Sequence, residues 1–186
     1  MTNILYADSD KKMPIIGAGI IFYRFNSNNR IELLLNKNLN AKYEDLGLNY
    51  NLTSDNNIDY FDIMLKNIEI ITNNVITKDL ILEYPSRNYY VYNSISKYLI
   101  ILLKANSLIK NIDCKSFTSN EIDWISLYRF SSKNILKHSV SNRIKSKHLI
   151  YKIKEIEYMH RLRLITKKLN LSPATSDDFS TDSTLD

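Results

Sequence analysis

The longest uninterrupted apolar run in the chain is Tyr98 to Leu103, six residues reading Tyr-Leu-Ile-Ile-Leu-Leu. It is far short of the ~20 residues that span a bilayer. A short run with no polar alternation suits a strand buried on both faces, at the centre of a sheet. Ile15 to Phe25 is rich in β-branched and aromatic residues and contains Gly17 and Gly19. It reads as a second buried strand, with Asn26 to Asn29 as the turn and Ile31 to Leu35 as the returning strand of a hairpin.

The other elements follow from periodicity. Asn36 to Tyr50 is polar and irregular and includes a turn at Gly47. Asn56 or Asn57 can cap a helix, with Asp59 in its first turn. Phe61, Leu65, Ile68, Thr72 and Val75 then fall near one helical face. Asn73-Asn74 supplies a C-terminus, because Asn tolerates the left-handed conformation. Leu80 to Glu83, Tyr89 to Tyr92 and Lys97 to Lys104 read as strands. Glu121 to Phe130, with Trp124, fits a short helix or a strand.

Arg143 to Leu169 reads as a helix, since Ile144, Leu149, Ile150, Ile153, Ile156, Met159, Leu162 and Ile165 recur mostly at three or four residues. From Ser172 onward the chain is rich in Ser, Thr and Asp and has no Lys or Arg. The expected organisation is a flexible stretch over 1–12, one domain over 13–170 and a disordered acidic tail over 171–186. Strands, a helix, more strands and a terminal helix make an α+β or mixed α/β/α pattern.

With 186 residues and one cysteine, Cys114, the chain is of single-domain size and has no internal disulfide. Nothing local to Cys114 offers a base, so a structural thiol is expected. The polar N-terminus has no signal-peptide core. A cytoplasmic location is expected, in the host cytoplasm or virion if the source is viral. Heavy use of Asn and Ile, with three Gly and three Pro, fits AT-rich coding such as that of large DNA viruses.

Two stretches carry a family resemblance. Tyr43-Glu-Asp-Leu-Gly47 precedes a helix containing Lys66-Asn67-Ile68-Glu69-Ile70-Ile71-Thr72-Asn73-Asn74-Val75. This frame resembles the Nudix box, a helix reading R-E-U-x-E-E-x-G-U with U a bulky aliphatic. The Ala18-Gly-Ile-Ile21 strand and Asp123-Trp-Ile-Ser-Leu-Tyr128 also resemble parts of that family, over about Met13 to Ile156. The resemblance implies a Nudix-like α/β/α sandwich with a mixed central sheet and a C-terminal helix. It also implies lost chemistry. Lys66 falls at the arginine, Asn67 at the first glutamate, and Ile70 and Ile71 at the paired glutamates that hold the divalent metal. The loop before Lys66 is longer than the family's.

Mg²⁺ needs hard oxygen ligands, and isoleucine offers none. Pyrophosphate hydrolysis depends on metal to neutralise phosphate and activate water. A rebuilt site would draw on Asp62 and Glu69, seven apart on one helical face, with Glu44 or Asp45 approaching from the preceding turn. The plainer reading has Asp62, Lys66 and Glu69 forming helical pairs on a solvated face. No cofactor is expected, with Mg²⁺ or Mn²⁺ entering only if hydrolysis survives.

Net charge is +5, and the Asp-rich tail conceals a more basic remainder. Lys145, Lys147, Lys152, Arg161 and Arg163 are candidates for tracking a phosphate backbone, against a solvated helix face. The thirteen tyrosines, Tyr84, Tyr89, Tyr90 and Tyr92 among them, can stack on bases or pack in the sheet. His138, His148 and His160 lack metal-ligand spacing. There is no phosphate-binding Gly-rich loop or nucleophile elbow. The expected function is therefore a Nudix-fold scaffold that binds nucleotide, RNA or a protein partner. A divergent diphosphate or mRNA-cap hydrolase is one alternative. The other is a structural or interaction protein, with a partner or second copy and no membrane.

Overall fold

The computed structural model describes residues 5–6, 12–38, 40–49, 60–82, 89–114, 117, 121–126, 140–141, 144 and 146–171. In chain order the strands are β1 (Leu5–Tyr6), β2 (Pro14–Ile15), β3 (Gly17–Phe25), β4 (Ile31–Lys37), β5 (Tyr43–Glu44), β6 (Leu48–Asn49), β7 (Tyr89–Asn93), β8 (Tyr98–Lys104) and β9 (Glu121–Ser126). The helices are α1 (Tyr60–Ile71), α2 (Lys78–Leu82), α3 (Ser107–Lys110) and α4 (Lys147–Leu171). This is a mixed α+β fold with a C-terminal helix. Within the stretch expected to be flexible, β1 pairs with β2. The acidic tail beyond residue 171 lies outside the described residues, as do the proposed caps Asn56 and Asn57.

The two apolar runs lie side by side. β3 and β8 pair in parallel from Gly17↔Tyr98 to Tyr23↔Lys104, flanked by antiparallel β4 and β7. β9 pairs antiparallel with the far side of β4. The β3–β4 hairpin closes as expected: the Asn26 side-chain oxygen accepts from the backbone N–H of Asn28 and Arg30, each at 3.0 Å, and Asn29 is left-handed at φ 56°. A parallel central pair needs cover on both faces, and it has it. Ile21, Tyr23, Ile100 and Leu102 form one core with Leu149, Ile153 and Ile156 of α4. Ile20, Phe22, Ile101 and Leu103 form the other with Met64, Leu65 and Ile68 of α1. Adjacent strand residues divide between the cores because strand side chains alternate.

β3 and β4 pair from Phe25↔Ile31 to Phe22↔Leu34 and then part. Residues 43–49 fill the fork: β5 takes Asn36 and Lys37 of β4, β6 takes Gly17 and Ala18 of β3, and Leu46 N–H donates to the Ile20 carbonyl at 3.0 Å. The segment read as irregular is thus stitched into the sheet, where Asp45 and Leu46 become buried. Its polar composition concealed this, and the pairing partners are 30 and 32 residues upstream for β6 and eight and six for β5.

The helix α1 ends as its asparagines predict. Asn73 and Asn74 are left-handed at φ 53° and 59°, and Asn74 N–H donates to the Glu69 carbonyl at 2.7 Å. Leu65, Ile68 and Thr72 are buried on the expected face, while Val75 is exposed beyond the helix end. Leu80 to Glu83, expected as a strand, is corrected: Leu80 to Leu82 belong to helix α2, and Glu83 lies outside the described residues. Thr77 caps α2, its Oγ1 accepting from Leu80 N–H at 3.3 Å, and a three-residue aliphatic run cannot by itself tell strand from helix.

Candidate functional site

The helix carrying the box-like sequence is held by its own carboxylates. Glu69 accepts from the backbone N–H of Lys78 at 2.5 Å, and Asp62 pairs with the Lys78 ammonium at 2.5 Å. One residue at the start of α2 thus meets both, which fixes the two helices together. The expected helical pairing of Asp62 with Lys66 is replaced by this longer-range one. Lys66 is exposed, Asn67 and Ile71 half-buried, and Ile70 is 66% exposed. Ile70 therefore presents hydrocarbon to solvent at the position where the resemblance places a metal ligand. Glu44, the third weak metal candidate, accepts from the Asn38 side-chain amide at 3.1 Å.

A divalent cation needs several converging oxygens. Among the described residues, no group of three or more His, Cys, Asp or Glu side chains could hold a metal ion. Sequence reading missed Lys78, whose role depends on α2 being a helix.

A second polar constellation lies in the fork, on the sheet face of Ile21 and Tyr98. Asp45 is buried, and Tyr98 Oη lies 2.7 Å from its Oδ2 and 2.8 Å from the Ala18 carbonyl. The single hydroxyl proton can serve one of these acceptors at a time. A Cβ on Gly19 would fall 1.4 Å from Asp45 Oδ2, and one on Gly47 would fall 2.4 Å from both that oxygen and the Ala18 carbonyl. These glycines are thus required for close approach of backbone to carboxylate. The Glu-Asp-Leu-Gly turn owes its residue types to this packing.

The terminal helix differs on its two sides. Leu149, Ile153 and Ile156 are buried against the sheet, and His160 continues that row, stacked on Phe25 at 3.7 Å. Burial, followed by Lys104 and Arg163, pushes the His160 pKa below its ordinary 6.5. Half a turn away, Tyr151, Tyr158, Leu162, Ile165 and Leu169 are all exposed. Of the apolar residues that gave the helical periodicity, Leu149, Ile153 and Ile156 are buried, while Met159, Leu162 and Ile165 are exposed.

The candidate nucleic-acid residues do not share one face either. Lys152 and Arg161 are nine residues apart, about two and a half turns, and so point opposite ways. Lys152 pairs with Glu155 at 2.7 Å and lies over the Tyr89 ring. Arg163 falls on that same side. Arg161 pairs with Glu157 at 2.6 Å and aligns with exposed Lys147, while Lys145 lies outside the described residues. Sequence reading missed that Lys147, Lys154, Arg161 and Lys168 recur every seven residues, which places them in one exposed row beside the apolar stripe.

Other candidates have local roles. Cys114 is half-buried, and burial, then Asp123, pushes its thiol pKa up, which suits a structural thiol. Tyr89 packs against the sheet core, Tyr92 donates to the Pro14 carbonyl at 2.7 Å, and Tyr90 is exposed. No described helix is long and apolar enough to cross a membrane.

No protein-family model and no curated protein matches the sequence. Among solved structures the chain is similar to a C. elegans Ap4A hydrolase, at 14% identity and a TM-score of 0.37, over 81% of this chain and 98% of that one. A binary complex of a C. elegans Ap4A hydrolase is similar at the same identity and TM-score, over 79% and 96%.

Proposed function

We propose that this chain is a Nudix-like scaffold that binds rather than hydrolyses, and that its working surface is the outer face of α4. The observation that carries the reading is the row of Lys147, Lys154, Arg161 and Lys168 beside the exposed stripe of Tyr151, Tyr158, Leu162, Ile165 and Leu169. A ligand fitting both rows carries negative charge and apolar or aromatic groups: single-stranded RNA, or an acidic segment of a protein. The engagement of Asp62 and Glu69 with Lys78 supports a structural role for α1. A divergent hydrolase would need Asp62, Glu69 and Glu44 to leave Lys78 and Asn38 before holding a metal.

The test titrates a labelled single-stranded RNA and a labelled peptide of alternating acidic and aromatic residues, at two salt concentrations. At least one should bind, more weakly at high salt. Lys154→Glu with Arg161→Glu should weaken that binding about tenfold, roughly 1.4 kcal/mol. RNA binding assigns a nucleic-acid face and peptide binding a protein face. Binding of neither, or binding indifferent to the double substitution, overturns the proposal.

A further inference from the structure

The exposed row on α4 has the spacing of a helix-pairing seam. Tyr158, Leu162, Ile165 and Leu169 are four, three and four residues apart. That alternation keeps apolar side chains along one line of a helix and lets two helices interlock. All four are exposed, on the side opposite buried Leu149, Ile153 and Ile156. No residue from Glu157 to Leu169 is buried. This end of α4 thus lacks the packed face from which most helices in proteins draw their stability.

The seam has two unlike flanks. Lys147, Lys154, Arg161 and Lys168 run along one, and Glu155, Met159 and Thr166 along the other. Glu155 pairs with Lys152 at 2.7 Å. Arg161 pairs with Glu157 at 2.6 Å, at an exposed site where such a pair holds weakly. The basic flank is matched by acids seven residues, about 10.5 Å, apart, which is the repeat of a helix lying alongside. Bases of single-stranded RNA stack on aromatic faces, and Leu162, Ile165 and Leu169 offer none. A second copy of α4 does not supply the acids. In parallel pairing Lys154 would meet Met159 and Arg161 would meet Thr166, while in antiparallel pairing the basic flank would meet itself.

We infer that the partner of α4 is an amphipathic helix of another protein. It is apolar at the heptad positions that meet Tyr158, Leu162, Ile165 and Leu169, and acidic at the flanking positions that face Lys154, Arg161 and Lys168. This rests on the outer face of α4 being the binding surface, and it names the chemistry and shape of what binds there.

The experiment titrates the full chain with a labelled peptide of about three heptads, Leu at both seam positions and Glu at both flanks. A peptide of the same composition in scrambled order is the control. The ordered peptide should gain helical circular dichroism on binding and bind about tenfold tighter than the scrambled one, roughly 1.4 kcal/mol. Leu162→Lys with Ile165→Lys should weaken that binding at least about tenfold, with the urea midpoint unchanged because both side chains are exposed. Lys154→Glu with Arg161→Glu should reverse the preference, so that a peptide with Lys at its flanks binds in place of the Glu version.

Equal affinity for the ordered and scrambled peptides overturns the proposal, as does a charge reversal that leaves the preference unchanged. If single-stranded RNA or the acidic–aromatic peptide binds at α4 and the ordered peptide does not, the partner-helix inference fails alone. If none of the three binds, the binding-face reading fails with it.

Discussion

The two helices that cover the sheet differ in what they leave to solvent. α1 is committed inward: Met64, Leu65 and Ile68 are buried, and Asp62 and Glu69 are both engaged by Lys78. α4 is committed on one side only. Leu149, Ile153 and Ile156 reach the sheet, while Tyr151 is 72% and Leu169 70% exposed on the other side. A helix whose polar groups are used internally stabilises the fold. One that presents a second apolar row to water, with Lys and Arg beside it, has the surface we propose for contact with another molecule.

The largest expected effect lies in the fork, on the sheet face that Tyr98 and Ile21 share with α4. Gly19→Ala places a methyl 1.4 Å from the Asp45 carboxylate, between β3 and β6. Urea unfolding should show a loss of at least about 3 kcal/mol, or no folded protein. A loss under about 1 kcal/mol would mean that the fork yields to the added methyl.

Next comes a matched pair. Leu65→Ala, in α1, should cost about 2–5 kcal/mol, because Leu65 is fully buried and the cavity refills poorly. Leu162→Ala, on the outer face of α4, should stay within about 0.5 kcal/mol. Equal losses would break the comparison outright.

Tyr98→Phe should cost about 1–3 kcal/mol, since it takes a hydroxyl from the buried Asp45 and the Ala18 carbonyl. An unchanged urea midpoint would show that Tyr98 contributes through its ring alone.

The smallest effect is pH-dependent and marks the end of the inward side of α4. The His160 pKa is lowered in the fold by burial, Lys104 and Arg163, so folding favours the neutral ring. Its contribution is complete above the unfolded value of 6.5 and is lost as pH falls through the lowered folded value. His160→Gln should flatten the stability slope just below pH 6.5. The same slope in both proteins would mean that burial beside Lys104 and Arg163 does not disfavour the charged ring.

Much of the fold was legible because its signals are local. The apolar runs identified β3 as a buried strand and β8 as a central one, and Asn73-Asn74 located the end of α1 from the conformations Asn tolerates. α2 was hidden because Leu80 to Leu82 is too short to show a period. The Lys78 pairing was hidden with it. In α4 the recurrence at three and four residues was visible, but the helix carries two apolar rows half a turn apart. Periodicity cannot say which row meets the sheet. That depends on where Ile21, Tyr23, Ile100 and Leu102 lie, a non-local fact. The heptad row of Lys and Arg could have been read from the sequence alone, by asking which bases share one helical side.

The most direct test of the central claim is turnover of a panel of nucleoside diphosphate compounds and capped RNA, with Mg²⁺ and then Mn²⁺, by the unaltered chain and Glu69→Gln. A structural α1 predicts no metal-dependent release of phosphate or nucleotide from either protein at high concentration, and a lower urea midpoint for Glu69→Gln because the cap on Lys78 is weakened. Metal-dependent turnover by the unaltered chain that disappears in Glu69→Gln, with the fold intact, would contradict the account and place a working site on α1.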